Sequence, residues 1–426
     1  MKKLYDESAE FCTKVNVKNI LHLVKNERDA TLLNQFLKGE KVNTTKIHAT
    51  MNQYRFQKVD SKARVRLFHE FPFEIYEGYE QWIPPLRFEV ENVFSPEKNP
   101  LFEKGECERY LMYAGDTLVA RFAVMNHSER DKVFDPPMGG FGFVEMVEDQ
   151  AVADAMIAFV KEWHAKRGYK AFRGPVNFGE NMNFWGLLVE NYEEPPIYGM
   201  HYHAPYYKTL LEATGAEKLD DHWSYKRDFD QPLPERLVKI TDRIECRPGV
   251  TLRHIDMNNL ERDAEYIRGI YNQAWSRQDI EEREHEFTDL SREDVQQMVQ
   301  QLKKIMIPES VLLAFVDEEP ASFIVCVPDL NEISAETGGK LRWWHIPKVL
   351  RFKKRAKHLR TTVYGTLPKY RKLGLEALTF VRGIQKTKAA APTLEYLEGT
   401  WVSEKNWLMQ RSLEALGCHH HKTHRT

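Results

Sequence analysis

An order of local patterns that runs from Tyr54 to Gly215 returns from Val250 to Gly417, and such a repeat constrains the chain to two copies of one architecture. Each copy opens on a short alternating strand and a capped helix. In "YRFQKVDSKARVRLFHEFPFEIY" the cap falls at Asp60-Ser61, and in "VTLRHIDMNNLERDAEYIRGIYNQAW" at Asp256. Two apolar strands around a polar turn follow: "YLMYAGDTLVARFAVMN" turns at Gly115-Asp116 and "VLLAFVDEEPASFIVCVPD" at Asp317 to Pro320, so both read as hairpins. Next come strand, loop, amphipathic helix and strand. Val152, Met156, Phe159, Val160 and Trp163 share one face of the first helix, and Leu375, Leu378, Val381 and Ile384 share one face of the second. Each copy closes with a helix ended by glycine, Gly215 or Gly417, the residue best suited to a left-handed cap.

The length agrees, since 426 residues exceed what one ordinary core organises and domains run to roughly 100–200 residues. Pro232, Pro234 and Pro248 interrupt regular structure between the copies, which predicts a first domain at 53–230, a linker at 231–250 and a second domain at 251–426. Residues 1–52 form an extension outside the repeat, with a strand expected at Ile20 to Val24 and a helix near Glu27 to Leu37. The five cysteines are scattered and never at C-x-x-C spacing, which argues for a reducing, cytoplasmic setting without disulfides or a thiolate metal site. Acids interrupt the N-terminal stretch where a secretory signal needs an apolar core. Apolar runs reach about six residues, against the roughly 20 that cross a bilayer. A net charge of -2 gives no global field for nucleic acid, and none is expected as a partner.

The candidate chemistry lies in the second copy, where "TTVYGTLP" runs into "KYRKLGLEALTF" and places a basic loop with a glycine between a strand and a helix start. Unpaired N–H groups at a helix N-terminus, at the positive end of its dipole, bind phosphate. Gly374 lets the backbone approach, and Arg371 and Lys372 add charge. The equivalent loop of the first copy reads Val147-Glu148-Asp149-Gln150, with two acids and no glycine, and repels a pyrophosphate. One half is therefore expected to bind a phosphorylated ligand and the other to serve structure or acceptor recognition.

The run Arg371 to Glu376 resembles the Q/R-x-x-G-x-G/A loop with which the GNAT acyltransferase superfamily holds the pyrophosphate of acyl-CoA. "EKNWLMQRSLEALG" resembles that superfamily's N-x-x-A-x-x-x-Y-x-x-x-G segment, with Asn406 and Gly417 at the matching spacing. More narrowly, "EQWIPPLRFEVENVFSPEKNPLF", "FRGPVNFGENMNFWGLLVENYEEPPIYGMHYHAPYYKTLLEATGAEK" and the C-terminal "WVSEKN" to "KTHRT" resemble a bacterial family of tandem GNAT-like proteins that includes ceramide synthase-like members. The resemblance covers the chain from about residue 54 onward and implies an α/β (mixed α+β) fold of two GNAT-like domains, each a mixed, mostly antiparallel sheet flanked by helices. It also implies acyl-CoA, or an acyl carrier protein, as co-substrate without a metal. The cofactor site falls on Tyr364, Gly365, Thr366, Arg371, Lys372, Leu373, Gly374, Leu375 and Glu376. Glu376 departs from the usual Gly or Ala, and Leu413 stands where many members carry the tyrosine that protonates the departing thiolate.

Acyl transfer to nitrogen needs a neutral amine, a polarised thioester carbonyl and a proton for the thiolate. The resemblance assigns polarisation to backbone N–H groups near Tyr364 to Thr366. Glu398, at the end of "TLEYLEG", is the first choice for base, with a paired or solvent-facing carboxylate as the alternative. Asn406 either caps the last helix or positions substrate. Asn177, Glu180, Asn181, Tyr202, His203, Tyr206 and Tyr207, in loop-like sequence of the first copy, either line a pocket for a small-molecule or lipid amine or pack as structural aromatics beside Pro205.

Between Glu336 and Glu376 there are twelve Lys or Arg and no acid, interleaved in "KLRWWHIPKVLRFKKRAKHLR" with Trp343, Trp344, Val349, Leu350 and Phe352. A helix after Pro347 with basic flanks suits an anionic inner-membrane surface, the phosphates of CoA, an acidic acyl carrier protein, or a plain solvated face. His419, His420, His421 and His424 alternate across a strand without an acid or cysteine beside them in sequence, so no metal site is expected. "MGGFG" at Met138 to Gly142 lacks dinucleotide-binding spacing and reads as a turn. Three functions fit: an N-acyltransferase, a catalytically silent GNAT-like module that binds a carrier, membrane or protein, and a peptidyl transferase using aminoacyl-tRNA.

Overall fold

The computed structural model describes residues 53–179, 183–274, 290–303 and 305–426. The extension at 1–52, with its expected strand and helix, lies outside the described residues, as do Glu180 and Asn181.

The first half supplies β1 (Tyr54–Lys58), α1 (Lys62–Ile75), α2 (Arg87–Val93), the hairpin β2 (Gly105–Ala114) and β3 (Thr117–His127), β4 (Met138–Met146), α3 (Gln150–Ala165), β5 (Ala171–Arg173), β6 (Leu187–Glu190), α4 (Tyr206–Ala213) and β7 (Asp221–Asp228). After α5 (Glu235–Glu245) the order repeats: β8 (Val250–His254), α6 (Leu260–Ala274), α7 (Arg292–Leu302), β9 (Val311–Val316), β10 (Glu319–Pro328), α8 (Asn331–Thr337), α9 (Ile346–Phe352), β11 (His358–Thr366), α10 (Leu375–Ala390), β12 (Tyr396–Ser403), α11 (Trp407–Ala415) and β13 (His419–Arg425). Local chemistry sets the boundaries. The Ser61 hydroxyl accepts from the Arg64 N–H at the start of α1, and Gly215 and Gly417 adopt positive φ just past α4 and α11. The second hairpin turns on Asp317 and Glu318, both at positive φ, so the strand takes up again at Glu319 rather than after Pro320.

The "MGGFG" segment is strand, not turn: β4 begins at Met138. Its glycines serve close approach, since a Cβ at Gly142 would fall on the Val176 carbonyl and one at Gly139 on the His164 ring.

Strands β1 to β5 form one sheet in sequence order, with β2–β3 and β3–β4 antiparallel and β4–β5 parallel. The other sheet has eight strands in the order β6-β13-β7-β12-β11-β10-β9-β8. Two strands that precede the 231–250 stretch thus belong to the sheet of the second half, and β7 lies between β12 and β13, antiparallel to both. Buried Arg227 fixes this arrangement. Its guanidinium donates to the carbonyls of Leu416, Asp228, Gln231 and Pro232, at 2.7–3.2 Å, which satisfies a fully buried cation without a carboxylate. Around it Tyr225, Leu397, Leu413, Leu416 and Cys418 join Phe380, Val381 and Ile384 of α10 in one core.

The parallel pair β11–β12 positions the candidate site. It pairs only from His358↔Tyr396 to Thr361↔Gly399; β12 then shifts register before Val402, with Trp401 at φ +73, while β11 runs on to Thr366 beside β10. The two strands part into a wedge.

Candidate active site

At the far end of β11 the chain makes a 3-10 turn at Pro368–Leu373 and enters α10 through Gly374 at φ +76, with no side chain capping the helix. The first-turn N–H groups of α10 are open to an anion in a way their counterparts are not, because Asp149 caps α3 by accepting from the Ala151 N–H. Arg371 and Lys372 are exposed beside this end of α10, with the Arg371 guanidinium braced on the Ala274 carbonyl at 2.9 Å. Leu373 is half-buried, and Leu375 is buried under α10. Glu376 is half-buried, and its carboxyl turns toward the Thr366 hydroxyl; burial raises its pKa, and Thr366 and Arg371 offset part of that. The extra carboxylate therefore points along the wedge.

Tyr364, Gly365 and Thr366 form the β11 edge that β12 has left. The Ser322 hydroxyl bonds the Gly365 carbonyl and the Thr366 hydroxyl, at 3.1 and 2.8 Å, from the β10 side. Tyr364 lies on the α10 face and its hydroxyl meets the Met409 sulfur of α11. Burial first, then the Glu376 and Cys418 charges, push that phenol's pKa up. Asn406 caps α11, its side chain accepting from the Met409 N–H at 3.1 Å, and Leu413 is buried in the core beneath.

Glu398 occupies the opposite face. Leu359 and Leu397 pack under α10, so their strand neighbours Arg360 and Glu398, a registered cross-strand pair, point away from it. Glu398 is 1% exposed; the Ser224 hydroxyl lies close enough to pull on its carboxylate but completes no hydrogen bond of good geometry, and His421 Nε2 stands 3.9 Å away. Burial raises its pKa to about 7, against the pull of Ser224, Lys422 and Lys226, with Asp329 adding to the rise. The same burial lowers His421 to about 3 and Lys422 to about 8. A buried carboxylate without a well-formed hydrogen bond is costly unless something else meets it, and a pKa near neutrality is what a general base needs.

Sequence reasoning missed the cross-strand Arg360 and the groups around it. Arg360, buried, donates to the Thr400 hydroxyl at 3.0 Å and the Asn183 side chain at 2.8 Å, and a Cβ at Gly199 would fall on its guanidinium. Glu89 of α2 accepts from the Tyr198 hydroxyl at 2.6 Å, and burial raises its pKa to about 7. The one sequence signal was a lone arginine within β11, between His358 and Thr366.

The residues expected at an acceptor pocket divide. Tyr202 lines a cavity with Trp82, Glu89, Glu145, Tyr198 and Asn331. His203 is buried and accepts from the Leu188 N–H. The Tyr206 and Tyr207 hydroxyls bond the Met146 backbone. Asn177 is buried, with its side-chain oxygen unpartnered.

Over 87% of its length the chain is similar to a solved tandem GNAT protein from the clavulanic acid biosynthesis pathway, covering 97% of that chain at 10% identity and a TM-score of 0.51. The chain has the tandem GNAT fold. This is the fold that the Arg371 to Glu376 loop and the duplication implied. Among curated proteins, this chain is similar to the bacterial ceramide synthase of Caulobacter vibrioides, 27% identical over 376 residues, or 86% of this chain and 95% of the relative. It is also similar to protein YghO of Escherichia coli, at 26% identity over 375 residues, 86% of this chain and 92% of that one. No protein-family model matches.

Proposed function

We propose that the protein moves an acyl group from acyl-CoA to an amine across the β11–β12 wedge, with Glu398 as base. The observation that carries this reading is the buried Glu398 carboxylate, which lacks a well-formed hydrogen bond, on one face of the parting strands, with the uncapped start of α10 serving the other. The donor's pyrophosphate sits on the N–H groups after Gly374, flanked by Arg371 and Lys372, and its thioester lies along Tyr364 to Thr366. The amine enters from the side of Arg360, Glu89 and Tyr202. Its nitrogen attacks the carbonyl carbon, its proton passes to Glu398 directly or through water, and the C–S bond breaks to leave a thiolate. The first half, 53–230, serves as the copy without a cofactor site, joined through 231–250 to the binding half at 251–426. The name of the Caulobacter vibrioides relative favours a fatty acyl donor and a long-chain amine.

The test is release of free CoA thiol from palmitoyl-CoA in the presence of long-chain 2-amino alcohols and of short amines. Amine-dependent release with the long-chain acceptors is expected. Calorimetric binding of CoA without release on any amine makes the protein a silent binding module, and no binding removes the CoA reading.

With Leu413 buried, we assign protonation of the thiolate to the Tyr364 hydroxyl, a reading supported by its reach from β11 to α11. Tyr364→Phe should lower kcat about tenfold, less than a full general-acid effect because water can substitute, and leave KM for acyl-CoA unchanged. An unchanged kcat would assign the proton to solvent.

A further inference from the structure

The segment from Leu341 to Leu350 turns a set of large apolar side chains outward. Trp343 is 78% exposed, Leu350 56%, Ile346 55% and Trp344 48%. This is a fixed platform. Phe352 is fully buried and Val349 packs on the same core, so α9 is anchored by one face while Ile346 and Leu350, one turn apart, share the other. The 3-10 turn before it, Trp343–His345, is closed by the Arg342 N–H donating to His345 Nδ1 and the His345 N–H donating to the Arg342 carbonyl. The two indoles meet edge to face with centroids 5.6 Å apart, and the Arg342 guanidinium lies 5.0 Å from the Trp344 ring.

The charges left without an opposite partner around this platform are basic. Glu336, just before it in sequence, takes up Lys348 and Arg355, and Glu70 takes up Lys340. Arg351, Lys353 and Lys354 are exposed and carry no ion pair among the described residues. Paired indoles and aliphatic side chains ringed by uncompensated cations match the headgroup zone of an anionic bilayer, where indole sits at the apolar–polar boundary and basic residues meet lipid phosphate. No helix among the described residues is long and apolar enough to cross a membrane, so contact here would be from one side.

We infer that the Trp343–Lys354 platform docks the protein on an anionic lipid surface. The inference stands apart from the acyl-transfer reading, because it rests on this surface alone and its test involves no catalysis.

The full chain is to be co-sedimented with vesicles of phosphatidylcholine alone and of phosphatidylcholine with phosphatidylglycerol, at low and high salt, while tryptophan emission is followed. Binding to the anionic vesicles with a blue-shifted emission is expected. The double variant Trp343→Ser/Trp344→Ser should lose the shift and most of the binding, and Arg351→Glu/Lys354→Glu should weaken partition about a hundredfold. All altered side chains are exposed, and circular dichroism confirms the fold of each variant. Equal or absent binding to the two vesicle types overturns the inference, as does binding that survives the double tryptophan change. Failure on vesicles with retention by an acidic acyl carrier protein, lost in the same variants, also overturns it and assigns the platform to a protein partner.

Discussion

Replacing Glu398 with glutamine is expected to lower kcat for acyl transfer by about a thousandfold, the middle of the range for loss of a positioned general base, while the protein keeps its fold. The two outcomes separate because burial acts on the carboxylate in opposite ways for chemistry and for stability. With its pKa raised to about 7 in the folded chain, the group is protonated more readily folded than unfolded. Its contribution to stability is therefore fully present below the unfolded carboxylate pKa, and is lost as pH rises through about 7. The loss is on the order of 3–4 kcal/mol, from a rise from 4.5 to about 7 at about 1.4 kcal/mol per unit. Glutamine does not titrate, so thermal melts of the variant should fall less than wild type between pH 5 and 8.5. The pH–rate profile of wild type should rise on an acid limb near pH 7, as the base ionises, and that limb should be missing from the variant's residual activity. Lys422, near 8, titrates beside it and shapes the alkaline side, whereas His421 stays neutral throughout. A variant that melts earlier at every pH, with activity falling in proportion, would reduce Glu398 to a structural role.

Much of the fold was legible because its signals are local. The four apolar residues assigned to one face of α10 are buried on it, Gly215 and Gly417 stop their helices, and Ser61 caps α1. The contrast between Gly374 and Asp149 was also local, since a helix start is capped by its own residues. Pairing between distant strands was not legible. Nothing in "HWSYKRD" says that it lies between β12 and β13, because that placement depends on where Arg227 finds carbonyls and which core Tyr225 joins. The site divides along the same line. Glu398 could be proposed from its strand, but its burial beside Ser224, Lys422 and the cross-strand Arg360 emerges only when remote segments meet. Tyr207 shows the reverse error of attention: an aromatic in a loop-like run drew notice, and the backbone of Met146 had already claimed its hydroxyl.

The contrast between the two helix starts supplies the second test. Gly374→Asp gives the second half the residue type that caps its counterpart, and CoA affinity should fall about thirtyfold or more. The estimate follows from about 2 kcal/mol for a favourable anion–helix interaction, with like-charge repulsion added. The substitution suits the site, because aspartate and asparagine are the L residues that best tolerate positive φ. The new Cβ meets only the flexible end of Ile244 at 2.8 Å, so little has to move. Gly374→Asn is the control: equal in size and tolerant of the same backbone angle, but neutral. If asparagine costs little and aspartate costs thirtyfold, negative charge on the ligand is what this end of α10 recognises. An equal loss in both variants would mean that close backbone approach, not charge, sets affinity, and no loss in either would move the phosphate away from α10. Because calorimetry with CoA reads this without an acceptor amine, the result holds whether or not Glu398 proves to be the base.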